Sequence, residues 1–227
     1  MKAAVVGSGA WGKNLVKTLH SIESLEAVVE VSPQLRETVR DQYPDVVIYD
    51  DPDILKTTNN KAVMIATPAP THFAVAKDLL KSGKDVFIEK PMTLSAAESK
   101  ELVELADKLE RVLMVGHLLI YQPAIKFIKE SIDSGTIGAV KSIHQVRCGL
   151  GRARSVENVL WSLGVHDVAV ALHLVGESPV DIQVSGQRVL QPNIEDDVYL
   201  HMEFASGIMT HLHCSWLWPE KQRGLTV

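Results

Sequence analysis

Three groups of residues combine types and spacing that could do chemistry. The first is Gly7-x-Gly9-x-x-Gly12 in "VVGSGAWG", a turn between an apolar run and a helical pattern. The second is Glu89-Lys90-Pro91 in "DVFIEKPM", where two opposite charges and a proline stop the apolar run Val86-Phe87-Ile88. The third is His166-Asp167 in "LWSLGVHDVAVALHLVGE", at the start of another helical pattern. The glycine turn suits a dinucleotide. Its first glycine permits a tight turn, its second lets a pyrophosphate approach the backbone, and its third lets helix and strand pack closely. The helix N-terminus adds free N–H groups and partial positive charge for the phosphates. Ala10 and Trp11 lie within this turn and join Gly7, Gly9 and Gly12 as cofactor-side residues. Glu30 ends the next predicted strand, 18 residues after Gly12. A carboxylate there accepts hydrogen bonds from the adenosine-ribose hydroxyls and repels a 2′-phosphate, which favours NAD over NADP. Arg36, close by in sequence, weighs the other way.

The elements that must position these groups alternate. Apolar runs at 2–7, 26–31, 45–49, 61–67, 84–89 and 111–117 read as strands, and 10–20, 32–43, 70–82 and 93–110 read as helices. Ser32 is the expected N-cap of the second helix, with Pro33 at its first position. Strands apolar on both faces, separated by helices, predict an α/β domain with a doubly wound parallel sheet. Such sheets bind ligands at the carboxyl ends of their strands. The glycine turn, "ATPAPTH" at 66–72 and Glu89-Lys90-Pro91 all fall at that edge. Thr67 and Pro68 are expected to border the cofactor. His72 is grouped with them, although a structural role suits it better. His117 ends the sixth strand and is expected at the cofactor or substrate.

The texture changes near residue 118. A helix at 121–133 leads to a strand at 138–148, a Gly- and Arg-rich loop at 149–158 and a helix at 164–176. Strands at 180–190, 197–205 and 208–217 follow, the last two joined by "ASG", a hairpin signal. This predicts an α+β domain with an open, mainly antiparallel sheet. The expected division is 1–118 for dinucleotide binding and 119–227 for substrate binding and oligomerisation. The closing "KQRGLTV" reads as the start of a further strand, so the second domain is expected to be incomplete.

Bulk properties narrow the function. The 227 residues are 46% hydrophobic and 22% charged, ordinary for a soluble globular protein. A net charge of −5 supplies no basic field for nucleic acid or an anionic membrane. No apolar run approaches the roughly 20 residues of a membrane span, and the N-terminus does not read as a signal peptide. A cytoplasmic protein is expected. Cys148 and Cys214 suggest neither a disulfide framework nor a metal site. His211 and His213 share a strand face without companion ligands, so no metal is expected. They read as sheet surface or oligomer interface, with Trp216 and Trp218 taken in the same alternation.

The motifs GSGAWG, ATPAPTH, VFIEKPM, VLMVGH and GVHD, in this order along essentially the whole chain, resemble the Gfo/Idh/MocA family: glucose–fructose oxidoreductase, inositol dehydrogenase and their relatives. The resemblance implies an N-terminal Rossmann domain and a C-terminal domain whose open sheet serves substrate binding and oligomer formation. It implies NAD(P)-dependent oxidation or reduction of a carbinol on a sugar or cyclitol. By the same resemblance Lys90 is catalytic, and the peptide bond to Pro91 is often cis. Oxidising a secondary alcohol sends a hydride to nicotinamide and a proton to a base. A lysine amine can take that proton, and its ammonium can polarise the carbonyl in reverse. Glu89 could orient Lys90.

Family members commonly carry an Asp four residues before a helix-start His. Here His166 matches the His, but Ser162 stands at the Asp position, so the usual Lys–Asp–His set is incomplete and Lys90 and His166 carry more weight. An imidazole exchanges protons near neutral pH. Asp167 is expected to hold that imidazole or cap the helix, and His173 to pack. Arg152 and Arg154 read either as a clamp for phosphate or carboxylate or as a solvated basic loop. Asn158 and Trp161 could meet a sugar hydroxyl and a ring face, and Tyr121 and Gln122 could also face the pocket. The stretch GRARSVENVLWSLGVHD resembles a subgroup that oxidises nucleotide-activated amino sugars at the 3-hydroxyl. The expected activity is thus NAD-dependent sugar or nucleotide-sugar dehydrogenation in a homo-dimer or tetramer built through the C-terminal sheet. An inositol or free-sugar dehydrogenase, or a non-catalytic NAD(P)-binding sensor, is the alternative.

Overall fold

Runs of small and β-branched residues separated by amphipathic segments build the first half. In the computed structural model, which describes residues 2–151 and 154–227, the chain divides into two compact units, one closing at Gly116 and one spanning His117–Val227. Arg152 lies outside the described residues. The first unit contains β1 (Ala3–Val6), α1 (Gly12–Ser21), β2 (Leu25–Val29), α2 (Pro33–Gln42), β3 (Val47–Tyr49), β4 (Ala62–Ile65), α3 (His72–Lys81), β5 (Asp85–Ile88), α4 (Ala96–Lys108) and β6 (Leu113–Val115). The sheet order is β3-β2-β1-β4-β5-β6 and every pair is parallel.

Both faces of this sheet are covered, which explains why its strands lack polar alternation. Ala4 and Val6 pack with Ala76, Leu79 and Leu80 of α3 and Leu102 and Ala106 of α4. Ala3 and Val5 face the other way, against Val16 and Leu19 of α1 and Val39 of α2. Burying a side chain of this size contributes about 1.5–3 kcal/mol. Ser32 caps α2, accepting from the Leu35 N–H, with Pro33 at the first turn. The order reverses between β1 and β4, so the carboxyl ends of those two strands border the crevice where such sheets bind ligands.

The second unit contains α5 (Pro123–Asp133), β7 (Ser142–Cys148), α6 (Val165–Val175), β8 (Pro179–Gln187), β9 (Asp197–Phe204), β10 (Met209–Ser215) and β11 (Gln222–Thr226). Its sheet runs β11-β7-β10-β9-β8. Three pairs are antiparallel, and β7–β10 is parallel. One face packs on α6: Val198, Leu200, Met202, Phe204, Leu212 and Cys214 join Ala171 in a single core cluster.

Several sequence expectations shift here. β7 begins at Ser142 instead of 138, because Gly135 and Gly138 adopt φ of 72° and 75° and turn the chain first. β8 stops at Gln187, where the Asp196 carboxylate takes the N–H groups of Val189 and Leu190 out of the ladder. The closing segment forms β11, which pairs with β7. Trp216 is 3% exposed within the core cluster, so it does not share the face of His211 and His213. Its even position in the strand alternation places it inward.

Candidate active site

The glycine turn follows β1 directly. Gly7 has φ of 90°, and a Cβ there would lie 2.8 Å from the Ala66 carbonyl oxygen. A Cβ on Gly12 would lie 2.0 Å from the Gly7 oxygen, so this position lets α1 start against the turn. A Cβ on Gly9 would meet nothing within 4 Å. Gly7 and Gly12 are therefore required by the fold, whereas Gly9 leaves a space that a side chain would fill. A cleft of about 490 Å³ opens there, lined by Ser8, Gly9, Ala10, Leu35 and Thr38 among others. The first turn of a helix carries N–H groups without intrahelical partners, and α1 starts at this cleft. This donor set and the space at Gly9 fit a dinucleotide pyrophosphate.

Glu30 follows β2 and is 6% exposed. Its Oε2 accepts from Ser8 N at 2.7 Å and Ser8 Oγ at 2.9 Å, and its Oε1 accepts from Ser32 N at 2.9 Å. Burial alone would raise this carboxyl, but the Ser32 and Ser8 donors outweigh it and hold the group below its usual range. Glu30 is thus an anion tied to the glycine turn. A carboxylate offers roughly four acceptor positions, which leaves capacity for ribose hydroxyls. Arg36 donates from Nη1 to the carbonyls of Glu30 and Val31, both at 2.9 Å. Its role at the end of β2 is to hold backbone, and the residue after Glu30 is the exposed, uncharged Val31.

The next two strand ends are joined by side chains. Thr67 and Pro68 follow β4, and Thr71 Oγ1 lies 2.7 Å from Thr67 Oγ1 and 2.8 Å from the Pro68 carbonyl. His72, 1% exposed at the start of α3, lies 2.8 Å from the Pro91 carbonyl through Nδ1 and 2.8 Å from the Thr67 carbonyl through Nε2. Glu89 and Lys90 follow β5, and the Lys90–Pro91 peptide is cis. Glu89 is 8% exposed; its Oε1 accepts from the Trp11 indole at 2.6 Å and its Oε2 from the Lys90 N–H at 3.3 Å. Burial pushes the Glu89 carboxyl up, against the opposing pull of the Trp11 hydrogen bond. Lys90 itself is half-buried.

Gly116, which follows β6, was only a neighbour of His117 in the sequence reading. A Cβ there would lie 3.0 Å from Glu89 Oε2 and 3.0 Å from Phe87 Cζ. The glycine in "VLMVGH" therefore seats the Glu89 carboxylate.

In the second unit, His166 is half-buried in the first turn of α6. Asp167 does not cap that helix, which has no side-chain cap. Its carboxylate is engaged by Arg147 of β7 through Nε and, at 2.9 Å, through Nη2, and its carbonyl accepts from Gln145 Nε2 at 2.9 Å. Adjacent helical residues point in different directions, so Asp167 is aimed at the sheet. Burial raises the Asp167 carboxyl and Arg147 pulls the other way without cancelling it. This bidentate pair fixes the start of α6, and with it the backbone of His166. Before α6 comes a π-helical turn, Leu160–Gly164, that holds Ser162. π-Turns concentrate at functional sites. A Cβ on Gly164 would lie 2.7 Å from Leu160 Cδ1 and 3.2 Å from Cys214 Sγ, so a side chain there would displace these two side chains.

The remaining expected residues are spread over the second unit. His117 precedes a short 3₁₀ turn, Leu118–Tyr121, and Tyr121 is 53% exposed. Asn158 Oδ1 accepts from Trp161 N at 3.1 Å and its Nδ2 donates to Glu195 at 2.9 Å, so its amide closes the turn before Trp161. Trp161 is 39% exposed. Arg154 is exposed, with Nε 3.9 Å from Glu157. His211 stacks on His144 and its Nδ1 lies 2.7 Å from that of His201. Among the described residues no group of three His, Cys, Asp or Glu side chains suits a metal ion. Cys148, His213 and Asp197 form a hydrogen-bonded chain, with separations of 3.4 and 3.1 Å. The Cys148 thiol is fully buried and its pKa is pushed up to about 11 by that burial, so the chain does not make a nucleophile.

Comparison with known proteins agrees with this geometry. Residues 1–117 match an oxidoreductase family with an NAD-binding Rossmann fold, and residues 125–227 match the GFO/IDH/MocA C-terminal domain. The chain is 31% identical over 236 residues to a UDP-N-acetylglucosamine 3-dehydrogenase of Acidithiobacillus ferrooxidans, covering 100% of this chain and 71% of that protein. It is 30% identical over 220 residues to an inositol 2-dehydrogenase of Burkholderia multivorans, covering 92% of this chain and 65% of the relative. The solved structure of the Acidithiobacillus ferrooxidans enzyme superposes with a TM-score of 0.89 at 27% identity, over 99% of this chain and 72% of that one. No helix among the described residues is long and apolar enough to cross a membrane.

Proposed function

Since the chain belongs to the Gfo/Idh/MocA family of NAD-binding oxidoreductases, we propose that it is an NAD-dependent dehydrogenase that oxidises a secondary alcohol of a nucleotide-activated amino sugar, at the sugar 3-hydroxyl. The observation that carries this reading is the seat of Lys90. It follows β5, neighbour to β4, and Glu89 and His72 hold the backbone on either side of it.

Gly7, Gly9, Ala10, Trp11 and Gly12 would hold the cofactor pyrophosphate, Glu30 the adenosine ribose, and Thr67 and Pro68 the border of the crevice. A bound NAD would supply the hydride acceptor for the carbinol carbon. Lys90 takes the hydroxyl proton, and in the reverse direction its ammonium polarises the carbonyl. His166 is the second catalytic group, held at the start of α6 by the Asp167–Arg147 pair. Ser162 supplies no carboxylate, so proton transfer rests on Lys90 and His166. Glu30 supports NAD over NADP, because a 2′-phosphate would meet a carboxylate already kept ionised. His117, Tyr121, Arg152, Arg154, Asn158 and Trp161 are proposed for the substrate side, with the arginines serving its phosphates.

The similarity to the UDP-N-acetylglucosamine 3-dehydrogenase supports the substrate class, and the inositol 2-dehydrogenases define the competing one. The test is NAD reduction followed at the nicotinamide absorbance band with UDP-N-acetylglucosamine, myo-inositol and free N-acetylglucosamine. Turnover of the nucleotide sugar alone is expected. Turnover of myo-inositol alone would replace this substrate with a cyclitol. NAD binding without turnover of any of them would make the protein a sensor.

A further inference from the structure

His72 lies at hydrogen-bond distance from two acceptors on two different strand-end loops. Nε2 is 2.8 Å from the carbonyl of Thr67, after β4, and Nδ1 is 2.8 Å from the carbonyl of Pro91, after β5. Which ring nitrogen donates depends on the tautomer, and in either tautomer the ring lies between the two carbonyls. The residue is 1% exposed. An apolar side chain of this size would fill the same space and leave the carbonyl that faces the ring N–H unpaired. The requirement at this position is therefore a ring donor between the two loops and not volume alone.

We propose that His72 is a positioning residue for Lys90: a strut that locks the backbone after β5 to the cofactor-bordering loop after β4. Pro91 is the residue next to Lys90, so the Pro91 carbonyl fixes the chain one peptide beyond the amine-bearing residue. The Glu89 carboxylate, braced by Trp11, fixes the other side through the Lys90 N–H. His72 also lies near enough to Glu89 to favour its anion electrostatically. Lys90 is thus held from both directions, and the His72 side ties its backbone to the Thr67 loop. The functional importance of this strut rests on the proposed catalytic role of Lys90; the strut itself does not.

The test follows Lys90 directly and needs no sugar. Reductive methylation with ¹³C-formaldehyde gives a dimethyl signal for each lysine, and Lys90→Arg identifies the one for Lys90. His72→Phe is expected to move or split that signal. An unchanged Lys90 signal in folded His72→Phe would overturn the strut. Should His72→Phe fail to fold, His72→Gln takes its place, and an unchanged Lys90 signal in that folded variant overturns the strut. NAD titration separates the two proposals. If NAD leaves the wild-type Lys90 signal unmoved, the catalytic assignment fails while the strut stands. With turnover established, misplacing Lys90 by this route should lower kcat about tenfold or more, with KM for NAD little changed.

Discussion

The indole nitrogen of Trp11 donates to Glu89 at 2.6 Å, joining the glycine turn to the end of β5 across 78 residues of sequence. Glu89 in turn accepts from the Lys90 N–H, so the cofactor turn and the backbone of Lys90 share one carboxylate. Trp11→Phe keeps the ring and removes the donor. The loss of stability should be about 1.5–3 kcal/mol where Glu89 is ionised, as for a hydrogen bond to a charged acceptor. Burial holds the folded Glu89 pKa above its usual value, so its contribution to stability is present at low pH and falls as pH rises through the folded pKa. Removing the indole donor raises that pKa further. Urea unfolding of Trp11→Phe should therefore show a larger loss at pH 7 than at pH 4.

Glycines 9 and 12 should separate binding from folding. Gly9→Ala places a methyl in open space, so stability should fall by no more than about 1 kcal/mol. NAD affinity should drop at least about tenfold, since the methyl occupies the proposed pyrophosphate approach. Gly12→Ala puts its methyl 2.0 Å from the Gly7 carbonyl and should unfold or severely destabilise the domain. Calorimetric titration with NAD and thermal unfolding of both variants check this.

Glu30 makes an acid-side contribution to stability. Its folded pKa lies below the usual 4.5 despite burial, so its stabilisation is present above that value and is lost as pH falls through the folded pKa. Glu30→Gln should flatten this limb in a pH series of urea midpoints below about pH 4.5. The same variant should narrow the NAD-over-NADP preference, because it removes the charge that repels a 2′-phosphate.

Much of the first unit was legible from the sequence because its signals are local. A glycine with φ of 90° between an apolar run and a helix start leaves few other readings, and strands covered on both faces show as unbroken apolar runs. Lys90 is proposed from its position at a strand end and from resemblance. Less legible were features decided by contacts distant in sequence. Glu89 depends on Trp11 and on the space left by Gly116, and neither is adjacent to it. Asp167 looked like a partner for His166 because it is next to it, yet a helix aims it at Arg147, 20 residues away. Asn158 carries a substrate-facing side-chain type, and its amide also closes a turn that involves Glu195, 37 residues away. Trp216 was misplaced by one residue of strand alternation, enough to move it from the surface to the core.

Breaking the Asp167–Arg147 pair should act on His166 without touching substrate. Asp167 is 4% exposed, so Asp167→Ala strands a guanidinium that is itself largely buried. The expected loss is about 3–5 kcal/mol. If the chain still folds at low temperature, kcat should fall while NAD affinity stays unchanged, because the NAD-binding turn lies in the other unit. Stability by denaturant and NAD binding by fluorescence measure the two effects separately.

Lys90 is proposed to take the substrate proton. The most direct measurement of this is the single-turnover rate of NAD reduction with UDP-N-acetylglucosamine in wild type and Lys90→Ala, alongside the NAD dissociation constant of each. Loss of a general base should slow the reduction by about 10²- to 10⁴-fold, with NAD binding unchanged. A Lys90→Ala protein that reduces NAD at the wild-type rate would contradict it.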